Sequence, residues 1–150
     1  MVDEREYRNV YRAVNPQRCL FEKAVLRRTF GCAKLTKVNI AEREAAGCCD
    51  PVAQRRCTAL LDRLRHASAF AVHLTRSDGP LPHAKEIKIQ CGGLLGLQHV
   101  TDGAAARAAG VEDIHGLIDR AVTLFGELDA LPYAEIVQSV ARFQARARRR

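Results

Sequence analysis

Five cysteines fall between positions 19 and 57 of a 150-residue chain, and a sixth, Cys91, stands just before two glycines. The five are Cys19, Cys32, Cys48, Cys49 and Cys57. What such thiols can build depends first on the redox compartment. The opening residues, Met1 to Tyr7, carry charges of both signs and lack the apolar run of a secretory signal. The expected compartment is therefore cytoplasmic, where thiols stay reduced. Clustered cysteines in that setting read as metal-binding or redox-active rather than as a disulfide framework.

The chain does not need metal merely to fold, because a length of 150 residues with 47% hydrophobic composition can bury a sizeable core. No apolar stretch approaches the roughly 18 to 20 residues of a membrane span, so no membrane association is expected. The formal charge of +7 is unevenly spread. Residues 140–150 hold five arginines and no acid, which leaves 19 basic against 17 acidic residues in the rest. The basicity is mostly a tail.

Helix signals dominate, and the expected fold is mainly α: a small helical domain with cysteines in its inter-helix turns. Asn15-Pro16 opens a first helix with the apolar stripe Leu20, Phe21, Ala24 and Val25, stopped by Gly31. Asn39 and Glu42 have the spacing of a capping box and predict a short helix over 40–46. Asp50-Pro51 opens a longer one, with Cys57, Leu60, Leu61, Leu64, Ala67, Ala71 and Leu74 on its inner face. The turn-rich stretch 76–82 is the best internal boundary. Glu86 to Gln90 alternates apolar and polar residues and predicts a short extended segment. A C-terminal hairpin of two amphipathic helices, 111–125 and 132–148, closes the chain. The implied organisation is a cysteine-rich helical region over 1–76, a turn and Gly-rich segment over 77–110, and the hairpin with its basic tail over 111–150, together forming one compact domain.

This reading puts Cys32, Cys48 and Cys49 in connections, Cys19 early in the first helix, and Cys57 about two turns into the third. Helix starts carry partial positive charge and favour thiolates, so these positions suit ligands. Zinc sites usually include cysteine pairs two to four residues apart, and no such pair occurs. Iron–sulfur clusters are larger, commonly take four cysteines, and tolerate ligands drawn from separate elements. The expected cofactor is therefore an iron–sulfur cluster of the 4Fe-4S type held by Cys19, Cys32, Cys48 and Cys57. Cys49 is the alternate to Cys48, and Cys91 is a substitute for Cys19. An unbroken helix over 16–30 would hold Cys19 roughly 16 Å from its far end, so convergence requires that helix to stop early. The competing reading for Cys57 and Cys19 is packing, since a free cysteine behaves as a small hydrophobe.

The remaining signals are weaker. His66, His73, His83, His99 and His115 lack the spacing of a histidine metal site, and no nucleophilic catalytic arrangement follows from spacing. Gly92-Gly93-Leu94-Leu95-Gly96 lacks both phosphate-loop patterns and reads as a close-packing segment. Arg142, Arg146, Arg148, Arg149 and Arg150 form a cationic tail without a recognition motif. The expected function is electron transfer or redox sensing with a redox partner protein. The alternative is a structural zinc protein that docks on nucleic acid or an acidic partner through that tail.

Overall fold

A computed structural model describes residues 5, 6, 9, 11, 13, 15–74, 81–103 and 110–144. The described elements are helix α1 (Glu22–Val25), strands β1 (Leu35–Ile40) and β2 (Arg43–Cys48), and helices α2 (Pro51–Ser68), α3 (His83–Asp102), α4 (Ile114–Phe125) and α5 (Tyr133–Arg142). The fold is mostly helical, with one small antiparallel sheet. Most of the predicted break at 76–82, and the arginines at 146 and 148–150, lie outside the described residues. Among the described residues no helix is long and apolar enough to cross a membrane.

Helix α3 is the centre of the packing. Ile89, Gln90, Cys91, Gly92, Gly93, Leu94, Gly96 and Leu97 are all buried, so this helix is covered nearly all round. That corrects the extended segment expected at 86–90. The polar residues that made the pattern alternate are themselves buried and partnered. Glu86, 4% exposed, takes Nη2 of Arg65 at 2.6 Å, and Gln90 Nε2 donates to the same carboxylate at 3.0 Å. The backbone N–H of Ala24 donates to Gln90 Oε1 at 3.2 Å. One polar knot thus ties α1, α2 and α3 together.

The glycines of α3 are packing residues, as the sequence indicates. A Cβ on Gly92 would lie 2.6 Å from the Val140 Cα, and one on Gly96 would lie 2.7 Å from the Ile136 carbonyl oxygen. Helix α5 therefore runs against α3 at backbone contact, along a stripe four residues apart. A 3-10 turn at Leu128–Ala130 joins α4 to α5, and both helices pack on α3, α5 the more extensively.

One expected helix is replaced by strands and another is cut short. The helix predicted over 40–46 is a β-hairpin in which Leu35 pairs with Cys48 and Ile40 with Arg43. Its residues have good helix propensity, but tertiary pairing overrides a propensity worth only tenths of a kcal/mol per residue. Ala45, Ala46 and Gly47 are buried on both faces, which a solvated short helix would not achieve. The helix predicted over 16–30 is reduced to the single turn of α1. An antiparallel bridge between Arg18 and Gly47 precedes it, and Arg28 follows in the left-handed region at φ 70°.

Gly92→Ala and Gly96→Ala should each destabilise the protein by roughly 1–3 kcal/mol, because the added methyl meets backbone that cannot yield without moving α5. Urea unfolding followed by circular dichroism reads this as a lower midpoint. An unchanged midpoint in both variants would mean that α5 does not hold this approach.

Candidate metal centre

Four cysteines line one pocket. Its walls are Cys19, Cys32, Cys48 and Cys57, with Leu20, Phe21, Lys34, Leu35, Gly47, Ala53, Gln54, Ile114 and His115. Each thiol comes from a different part of the fold, and each is placed by a local device.

Cys19 and Cys48 are brought together by backbone pairing. The Cys19 N–H donates to the Ala46 carbonyl at 2.9 Å, and the Cys48 N–H donates to the Gln17 carbonyl at 2.6 Å. Segment 17–19 is thereby laid along β2. Gly47 lies at the crossing, where a Cβ would stand 2.7 Å from both Asn15 Oδ1 and Thr36 Oγ1. The contact is secured further by Asn15 Nδ2 donating to the Ala46 carbonyl at 2.9 Å, and by Glu22 Oε2 accepting the Ala46 N–H at 2.8 Å.

Cys32 is held from the other side of the molecule. The Gly31 N–H donates to the Val111 carbonyl, and the Ile114 N–H donates to the Gly31 carbonyl, both at 2.8 Å. The Ala33 N–H donates to Asp113 Oδ1, also at 2.8 Å. These bonds fasten the Cys32 turn to the start of α4, which brings His115 to the pocket wall. The Lys34 N–H reaches Cys32 Sγ at 3.5 Å. Cys57 sits on the inner face of α2, whose entry is set by Asp50: Oδ1 accepts the N–H groups of Val52 and Ala53 at 3.0 and 3.3 Å.

Burial dominates the electrostatics. Desolvation pushes the thiols of Cys19 and Cys57 each up to about 12, and it also raises Cys32. A smaller contribution is mutual: Cys57 senses Cys19, Cys32 and Cys48, each of which would disfavour a thiolate beside it. N–H groups of Phe21 on Cys19, and of Lys34 and His115 on Cys32, work in the opposite direction. These thiols therefore stay protonated at neutral pH unless a cation compensates the charge. Ligation would release their protons.

The free volume between these residues is about 20 Å³, room for about one water molecule, so a group of several atoms would need the lining side chains to move outward. Among the described residues no group of three or more His, Cys, Asp or Glu is arranged to hold a metal ion.

Of the other cysteines, Cys49 is exposed and is not part of the pocket wall, and Cys91 is buried in α3 within the general core. The distance objection to Cys19 disappears because there is no long first helix to carry it away. Lys34, Gln54 and His115 were not singled out by sequence spacing. His115 lies 58 positions from Cys57, and only the chain path through Gly31 and Val111 brings it near. No protein-family model, curated protein or solved structure matches this chain.

In the metal-free protein, alkylation at mildly alkaline pH should label Cys49 first and leave Cys19 and Cys57 slow, with their rates rising about tenfold per pH unit towards pH 12. The raised folded values also fix the sign of the pH dependence of stability. Unfolded thiols ionise from about pH 8.5, so the metal-free protein should lose stability as pH climbs from there towards 12. Peptide mapping after timed alkylation checks the order; equal labelling of Cys19 and Cys49 would contradict the burial.

Proposed function

We propose that the chain binds an iron–sulfur cluster of the 4Fe-4S type through Cys19, Cys32, Cys48 and Cys57, and that it serves electron transfer or redox sensing in a reducing, cytoplasmic setting with a redox partner protein. The observation that carries the reading is that four cysteines, from four separate segments, line one pocket. Four cysteine ligands are the common complement of such clusters. A bound cluster supplies one-electron redox chemistry, and the surrounding residues set its conditions.

The chain's own contribution has three parts. Phe21, Leu20, Leu35 and Ile114 exclude water from the sulfurs. Backbone N–H groups of Phe21, Lys34 and His115 stabilise thiolate charge on Cys19 and Cys32, and such hydrogen bonds tune cluster potential. Lys34 and His115 bring cationic or polar groups to an otherwise apolar wall.

The alternative, a structural zinc ion, requires four sulfurs at about 2.3 Å from a single point. Among the described residues no group of three or more His, Cys, Asp or Glu is arranged to hold a metal ion, so the preference for a cluster over zinc rests on the lack of cysteine pairs two to four residues apart in the sequence. The arginine tail, mostly outside the described residues, does not bear on that choice.

Substitution separates ligation from packing. Cys32→Ser and Cys48→Ser should sharply lower iron and sulfide content, and Cys91→Ser should lower it less. Cys57→Ala keeps a small apolar side chain, so loss of colour with helix content retained identifies a ligand, whereas full metal content returns Cys57 to the core. Full iron and sulfide occupancy in both serine variants would remove the reading.

A further inference from the structure

The cysteine pocket is not sealed from solvent. Cys19, Cys32, Cys48 and Cys57 are each partly exposed, and Arg18, Ala33, Cys49 and Thr58 beside them are exposed. Electron exchange falls off steeply with distance, so a partner gains most by approaching over the edge where Arg18 meets α2.

The edge has the anatomy of a small docking surface. Val52, 64% exposed, is an apolar side chain on the first turn of α2, four residues beyond Cys48. Arg55 and Arg56 follow it by three and four residues on α2, Gln54 holds the Arg18 carbonyl, and Lys34 pairs with Asp50 at the helix start. The carboxylates on this edge are already engaged, Asp50 by Lys34 at 3.8 Å and Asp119 by Arg56. Arg18 and Arg55 are exposed and face no carboxylate among the described residues, while Arg28, Arg63, Arg65 and Arg120 each do. Gln54 Nε2 donates to the Arg18 carbonyl at 2.9 Å, which lays Arg18 against the turn of α2 that bears Arg55. Positive charge is therefore left uncompensated beside the pocket.

We propose that this edge, with Val52 inside a rim that includes Arg18 and Arg55, is the docking surface for an acidic electron-carrier protein. The proposal rests on the cluster reading for its purpose, but the surface itself is read from charge and exposure. Complementary charge of this kind chiefly speeds encounter and sets specificity, and it is weakened by salt.

The test is titration calorimetry of the full-length protein with a purified acidic plant-type ferredoxin as probe, at low and high salt, with basic cytochrome c and a short DNA duplex as controls. Binding to ferredoxin should exceed binding to either control and weaken as salt rises. Arg18→Glu with Arg55→Glu should weaken it about tenfold or more, and the corresponding Gln pair should fall between. Val52→Asp should also weaken it, and deletion of residues 145–150 should leave it within about twofold. Circular dichroism on each variant verifies the fold. Wild-type affinity in the Glu pair, stronger binding to cytochrome c or DNA, or loss on tail deletion alone would overturn the proposal. Iron and sulfide content of the same samples keeps the two ideas apart: full content with unaffected binding in the Glu pair removes only the docking surface, while wild-type protein without iron removes the cluster reading and this proposal with it.

Discussion

The crossing of segment 17–19 over β2 at Gly47 is the contact on which the candidate site depends. It aligns Cys19 with Cys48 through two backbone hydrogen bonds, and it recruits the Asn15 amide and the Glu22 carboxylate to the Ala46 backbone. A Cβ at Gly47 would stand 2.7 Å from Asn15 Oδ1 and from Thr36 Oγ1, so both side chains would have to shift to admit it. Shifting Asn15 would disturb its amide bond to the Ala46 carbonyl, one of the contacts that hold the crossing. The core supports this contact from beneath, because the Arg65, Glu86 and Gln90 knot holds the backbone of Ala24 to α3. Buried polar groups of this kind are costly unless every member is partnered, and here they link three helices.

The physical tension in the site is between burial and charge. Desolvation in this largely apolar setting favours the neutral thiols of Cys19, Cys32 and Cys57 and raises each of them. Converting them to thiolates without a compensating cation would set like charges together in a poorly solvated space. A ligated metal group removes that conflict, and its binding free energy becomes stability of the folded state. The same sulfurs without metal are a patch of small hydrophobes, which is why packing and ligation are hard to separate by inspection of the apolar stripe alone.

Much of this architecture was legible in the sequence. The mainly helical class, the cap at Asp50, the inner face of α2 and the close-packing role of Gly92 and Gly96 all follow from spacing. The grouping of Cys19, Cys32, Cys48 and Cys57 rested on clustering and compartment, and their shared pocket is a matter of tertiary geometry. The hairpin over Leu35 to Cys48 was illegible because Ile40 to Ala46 reads locally as a good helix, and the pairing that overrides it is that of β2 with β1, with segment 17–19 added along the other edge of β2. Glu86 to Gln90 misled for the opposite reason: its polar members are buried, so polarity did not mark a solvent face. Lys34 and His115 carried no signal, since their approach depends on the Cys32 turn being fastened to residues 111–114.

The measurement that bears most directly on the central claim is iron and acid-labile sulfide analysis of anaerobically purified wild-type protein, with its visible absorption and electron paramagnetic resonance spectra before and after reduction. The account predicts a brown protein with about four iron and four sulfide per chain and a paramagnetic signal that appears on one-electron reduction. A colourless protein with about one zinc per chain, or one that takes up neither iron nor sulfide on anaerobic reconstitution, would contradict it.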